Sequence, residues 1–179
     1  MVDKLKYFDV PFAGLSLGNH TYKYTIDQSF FTYFNQQMPQ CKFEVSVVLN
    51  KQPQILNISF NTVGEMQAIC GRCTDEFIMP IVAQNQLLIK FGLQAAEEDV
   101  DVMVIPNTET HINLAQYIYE YVMVAIPMHQ VHPTDNAGRS QCNQTFLKQI
   151  EKRKDESAQL KQQTSDPRWD ILKQLNNNN

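Results

Sequence analysis

The run KFEVSVVLN, residues 42–50, alternates without a break. Phe43, Val45, Val47 and Leu49 fall on one side, and Lys42, Glu44 and Ser46 on the other. A period of two residues marks a strand with one face in a core and the other in water. The next run, QILNISF, repeats the pattern with Leu56, Ile58 and Phe60, and Gln52-Pro53 between the two reads as a turn. Strands joined by short turns pair antiparallel, so these two runs predict the start of an antiparallel sheet. GEMQAIC (64–70) reads as a third strand, with Met66, Ala68 and Cys70 on one face. FIMPIVAQNQLLIKF (77–91) reads as one long or bent strand in which Pro80 disfavours a central ladder position. HTYKYTID (20–27) is a further strand, QSFFTYF (28–34) a short helix or edge segment, and DVDVMVIP (99–106) the strand that closes the sheet.

Helical periodicity takes over after residue 111. In INLAQYIYEYVMVAIP, Leu114, Ile118, Tyr121, Val122 and Ala125 recur at helical spacing. Asn113 is placed to cap this helix, Gln116 to complete a capping box, Ile112 to staple to Tyr117, and Pro127 to end it. RSQCNQTFLKQIEKRKDESAQLKQQ (139–163) predicts a second, mostly polar helix that is exposed or docked along a narrow stripe. SDPRWDILKQL begins another, with Ser165 or Asp166 as cap and Pro167 in the first turn. The predicted fold is therefore α+β: an antiparallel meander or partly closed barrel followed by C-terminal helices. Its expected division is a sheet domain with one packed helix over 1–138, a helical arm over 139–175 and a disordered tail over 176–179.

Charge follows the same division. The net charge is −4, but residues 1–138 hold 7 Lys/Arg against 14 Asp/Glu, and residues 139–179 hold 8 against 5. The body is acidic and the arm mildly basic. Affinity for nucleic acid rests on Lys and Arg neutralising phosphates, so the body is a poor surface for it and the arm the better one. No stretch approaches the roughly 20 apolar residues that span a bilayer. The first residues, MVDKLKYFDVPFAG, lack the apolar core of a secretory signal. A cytoplasmic location is expected, where thiols stay reduced.

Four cysteines then need an account. Cys70 and Cys73 flank Gly71-Arg72. Paired strands on either side would make Gly71-Arg72 a two-residue type II′ loop, with both cysteines on one face. A thioredoxin-like redox pair needs its first cysteine at a helix N-terminus, and nothing after Cys73 has a helical pattern. Two thiolates at a hairpin tip are half of a tetrahedral zinc site, and Cys142 with His129 or His132 can supply the other half. The set Cys70, Cys73, His132 and Cys142 is the candidate metal site and zinc the candidate cofactor. A metal clamp, a redox pair and a turn that merely contains thiols all stay open. Cys41, at the start of a strand, reads as a small buried residue.

Catalytic signatures are absent. The chain has no Walker loop, no G-x-G-x-x-G, no G-x-S-x-G and no H-E-x-x-H. Glu97, Glu98, Asp99 and Asp101 fall in a polar segment that reads as a solvated loop. His111 reads as a surface residue ahead of the helix.

Three segments in order carry a resemblance: CGRCTDEFIMPI, then INLAQYIYEYVMVAIPMH with Glu120 and Pro127, then DPRWDILKQL with Asp166, Pro167, Arg168, Trp169 and Leu172. Together with PFAGLSLGNHTYKYTID they resemble the YceD-like family, named for large ribosomal RNA subunit accumulation, over nearly the whole chain. The resemblance implies a non-enzymatic factor needed for large-subunit ribosomal RNA and ribosome assembly. The implied partner is ribosomal RNA or a ribosomal protein, with no membrane and no DNA. Many relatives carry a cysteine-rich stretch after the Leu/Ile-Pro. Here that stretch is MHQVHPTDNAGRSQC, with one cysteine and two histidines. Arg168 and Trp169 are the candidate binding residues, since guanidinium and indole together stack on bases or anchor an interface. The competing readings are a thiol-disulfide oxidoreductase using Cys70 and Cys73, and a zinc-stapled adaptor unrelated to ribosomes.

Overall fold

The structure is a computed structural model that describes residues 5–92, 96–99, 102–135 and 137–163. Its strands and helices are β1 (Asp9–Val10), β2 (Gly18–Asp27), α1 (Gln28–Phe31), β3 (Cys41–Lys51), β4 (Ile55–Ile69), β5 (Glu76–Gly92), β6 (Ala96–Asp99), β7 (Val102–Pro106), β8 (Ile112–Asn113), α2 (Ala115–Ala125) and α3 (Gln144–Gln163). The class is α+β, as the patterning predicts. Six strands form one open sheet in the order β2-β3-β4-β5-β7-β6, and β1 pairs with β8 in a second, two-stranded one. Clustering of the backbone divides the chain into two compact units, residues 1–68 with 76–130, and residues 69–75 with 131–179.

The first unit holds the sheet. β2 pairs antiparallel with β3 from Gly18↔Lys51 to Asp27↔Lys42, and β3 with β4 from Cys41↔Met66 to Lys51↔Leu56. The two runs read from the sequence as separate strands, QILNISF and GEMQAIC, are one strand. Leu56, Ile58, Phe60, Thr62, Met66 and Ala68 are buried in unbroken alternation, so the phase carries straight through the polar middle. Gly64 lies opposite Phe43. A Cβ there would sit 2.6 Å from the Phe43 Cα and closer still to the Lys42 carbonyl oxygen. That glycine looks like a strand break in sequence, but its role is to let two backbones approach.

β5 crosses the middle of the sheet. Its ladder with β7 spans Leu88–Gly92, so exposed Pro80 lies in the other half of the strand, where its missing N–H costs no bond to β7. The chain then lays down β6 one position out and returns as β7 to fill the gap. β7 is thus parallel to β5 and antiparallel to β6. The meander expected from the sequence holds for β2 through β4, whereas the far edge is mixed and the sheet does not close into a barrel. Glu97, Glu98 and Asp99 belong to β6 rather than to a loop, and Asp101 lies outside the described residues.

One face of the sheet carries the core, with Phe43, Val47, Leu49, Leu56, Ile58, Ile89 and Leu114 fully buried. α2 buries Ala115, Ile118 and Val122 there. Tyr121 is half-buried with its ring edge on Phe60, centroids 5.0 Å apart, while Tyr119 stacks on Phe34 at 4.3 Å. The Asn113 side chain accepts from the Ala115 N–H at 2.9 Å, as the capping residue should. The capping box does not form, because the Gln116 amide donates forward to Glu120 instead. Ile126 is extended, as a residue before proline must be, and ends the helix. The Lys51 ammonium donates to the carbonyls of Phe12, Ala13 and Leu15 at 2.9, 3.0 and 2.8 Å, fastening the loop before β2 to the end of β3.

Gly64→Ala weighs two opposed effects. Alanine gains about 0.5–1 kcal/mol over glycine in strand propensity and chain entropy, but its methyl group must displace backbone, which costs about 1–3 kcal/mol. Urea unfolding of G64A is expected to show a net loss of about 1–2 kcal/mol, while V82S on the exposed face stays within about 0.5 kcal/mol of the parent.

Candidate metal centre

The second unit is built from two tight connections. The first runs from Cys70 to Asp75, between β4 and β5. It is not the two-residue type II′ loop that the sequence predicts. The Thr74 N–H donates to the Cys70 carbonyl at 2.8 Å, and the Cys70 N–H to the Asp75 carbonyl at 2.9 Å. Thr74 takes a left-handed conformation here, with φ 63°. The connection is therefore wider, and it turns backbone N–H groups toward sulfur, the Arg72 N–H lying 3.4 Å from Cys70 Sγ.

The second connection runs from His132 to Cys142. Residues Thr134 and Ser140 form an antiparallel bridge. The Asp135 N–H donates to the Arg139 carbonyl at 2.8 Å and the Gln141 N–H to the Pro133 carbonyl at 3.2 Å. Gly138, at φ 74°, makes the turn. The Asp135 carboxylate accepts from the N–H groups of Ala137 and Arg139 and from the Arg139 guanidinium. These bonds hold its pKa below the ordinary carboxylate value, the Arg139 N–H most of all, against a smaller opposing effect of burial. Counting outward from the turn past the Pro133–Gln141 bond, His132 and Cys142 are the next pair, so the hairpin sets them side by side.

The two connections bring Cys70, Cys73, His132 and Cys142 together, with one donor atom from each within 4.8 Å of the others. Cys70 Sγ lies 3.7 Å from Cys142 Sγ, and Cys73 Sγ 3.4 Å from His132 Nδ1. All three cysteines are free thiols, and buried. Bond lengths of about 2.3 Å to sulfur and 2.0–2.1 Å to nitrogen give a tetrahedron with edges of about 3.8 Å between sulfurs and about 3.6 Å between sulfur and nitrogen. The Cys70–Cys142 and Cys73–His132 separations are close to those edges, and the four residues could hold a metal ion.

The electrostatics fit the same use. Burial pushes the Cys70 thiol up, but the N–H groups of Cys73, His132 and Arg72 and the His132 ring outweigh it and bring the pKa down to about 5. At Cys142 the Ser140 hydroxyl pulls down, yet burial and the Cys70 and Cys73 sulfurs together hold the thiol above its ordinary value. One sulfur ionises readily and its neighbour resists, as expected where no cation offsets several close thiolates. Cys41 lies apart in β3, where burial first and Asp27 second raise it to about 11.

α3 starts directly beyond this cluster, later than the sequence run suggests. The hairpin holds residues 133–141, and Asn143 caps the helix by accepting from the Phe146 N–H at 3.2 Å. The Asn143 amide also donates to the Asp75 carboxylate at 3.1 Å, joining the helix cap to the first connection. Sequence reasoning missed Asp75 and Asn143, although an asparagine three residues ahead of Phe146 is a legible cap. The turn signal of Pro133, Asp135 and Gly138 lies just ahead of the run predicted to be helical from Arg139. His129 is exposed and outside the cluster, so His132 is the histidine that joins it. His111 is exposed, with its Nδ1 2.7 Å from Thr110 Oγ1. Arg168 and Trp169, with the capping residues before them, lie outside the described residues.

Comparison with known proteins gives a family match. The family described as large ribosomal RNA subunit accumulation protein YceD matches residues 58–176. No curated protein and no solved structure matches. The matched span contains both connections, all four donors and α3, and on that span the chain belongs to the YceD family.

Proposed function

We propose that this protein supports accumulation of large-subunit ribosomal RNA, and with it ribosome assembly, by binding RNA or a ribosomal protein in the cytoplasm rather than by catalysis. The family match carries this reading, since it covers the chain from β4 through the C-terminal arm. Among the described residues no helix is long and apolar enough to cross a membrane.

Within this reading, zinc held by Cys70, Cys73, His132 and Cys142 folds the unit that bears the arm of residues 139–175. Three thiolates and one imidazole are a structural donor set with no position left for substrate. The energetics favour the same role. The only buried side chains described in residues 69–75 and 131–157 are Cys70, Cys73 and Cys142, and none belongs to the hydrophobic core cluster. Burying one leucine-sized group contributes about 1.5–3 kcal/mol, whereas structural zinc contributes about 10–16 kcal/mol of folding free energy. Only the metal term is large enough to order such a unit. A small, core-poor module is also the kind of fold that depends on a metal staple.

The low pKa of Cys70 is the observation that favours a thiol oxidoreductase. Two facts weigh against that reading. Both Cys70 and Cys73 are 0% exposed, and Cys73 leads into β5 rather than a helix, so no attacking thiolate is presented as redox pairs require.

Elemental analysis of the protein purified without chelator is expected to give one zinc per chain. C73S and H132A should lose most of it and lower the melting temperature, whereas H129A and C41S retain it. A full zinc load in C73S would rule the site out. In cells lacking the protein, the ratio of large- to small-subunit ribosomal RNA is expected to fall and to recover with a plasmid copy. An unchanged ratio would sink the functional reading.

A further inference from the structure

Helix α3 separates its charges by face. At about 100° per residue, Phe146, Ile150, Arg153, Lys154 and Ser157 fall in one row. Asp155, Lys148 and Lys152 fall on the opposite side, and Glu151 and Glu156 stand at its two borders, three residues from Lys154 and Arg153. Phe146 and Ile150 are half-buried, and residues 151–157 are all exposed. Just over three turns of α3 therefore present a face with two cations and no carboxylate, while two cations and three carboxylates occupy the rest of the circumference. The Ser157 hydroxyl donates to the Lys154 carbonyl at 2.8 Å, which turns it back onto the helix one turn beyond the two cations.

We infer that the carboxylate-free face of α3 is a docking surface for the phosphodiester backbone of structured RNA, with Arg153 and Lys154 as the contacts. This rests on the ribosomal RNA reading above and names the element that meets the RNA. Charge complementarity selects the occupant. A basic ribosomal protein would be repelled by this face and drawn to the acidic body, where residues 1–138 hold 14 Asp/Glu against 7 Lys/Arg. A polyanion is attracted to the row of cations, and the carboxylates behind it orient the helix by repulsion. The guanidinium of Arg153 can fork onto two phosphate oxygens, while the Lys154 ammonium acts as a point charge. The Asn143 cap and its bond to Asp75 anchor the first turn, so the face is presented on a helix whose start is fixed.

The test compares two double variants of the zinc-loaded full chain that lose the same charge from opposite faces. Binding of a fluorescein-labelled stem-loop RNA is followed by anisotropy from about 50 to about 200 mM salt. R153Q/K154Q is expected to weaken binding about tenfold or more and to reduce the salt slope by about 1.4–1.8, corresponding to two phosphates. K148Q/K152Q should change affinity by less than about threefold. Circular dichroism checks that both variants keep their helix content. Equal loss in the two variants overturns the assignment, because the attraction would then follow net charge and not a face. Competition by polyglutamate at matched charge also overturns it, and points to an acidic protein segment. If the parent protein fails to bind while its deletion still depletes large-subunit RNA, the docking face falls and the functional reading stands.

Discussion

Sulfur and imidazole, rather than hydrocarbon, draw the second unit together. Its two connections bury three cysteines among the side chains described there, and each connection is too short to make a core of its own. Without a cation, backbone N–H groups and the His132 ring draw Cys70 low, while burial and the sulfurs beside it hold Cys142 high. A divalent charge at the centre of the four donors removes that conflict, because it favours every sulfur as thiolate at once. The bonds around the donors hold them in place: N–H groups aimed at Cys70, the Asp135 carboxylate closing the hairpin that presents His132, and Asn143 tying the helix cap to Asp75.

Much of the sheet was legible because alternation reports burial directly. Phe43 through Leu49 and Leu56 through Ala68 face the core as their spacing requires. Periodicity reports which face a residue takes, not where a strand ends or which way its neighbour runs. Gly64 therefore read as a boundary, although it is a close approach inside β4. The parallel placement of β7 against β5 depends on β6 being laid down first, and the acidic composition of Ala96–Asp99 hides that strand. α2 was legible in its buried stripe, but its capping box was not, since the Gln116 amide has a better partner one turn ahead in Glu120.

The donors of the metal centre were legible by chemical type, because cysteine and histidine are few in this chain. The geometry that selects His132 over His129 was not. That choice is made by a hairpin closed through backbone bonds and the Asp135 side chain, and no periodic signal marks it. The same hairpin delays α3 to Gln144, although helix-forming residues begin earlier.

The placement of the donors along the chain has a consequence for unfolding. Cys70 and Cys142 are 72 positions apart, and residues 76–130, lying between the two segments of the second unit, belong to the first. On the zinc reading the ion acts as a covalent-like clasp across that insertion. It restricts the unfolded ensemble much as a disulfide over a long loop would. Unlike a disulfide, the clasp is set by free metal concentration. On the same reading, starvation for zinc would loosen the arm-bearing unit first and leave the hydrophobic sheet standing, which would couple the cell's metal supply to the smaller unit that carries the basic helix.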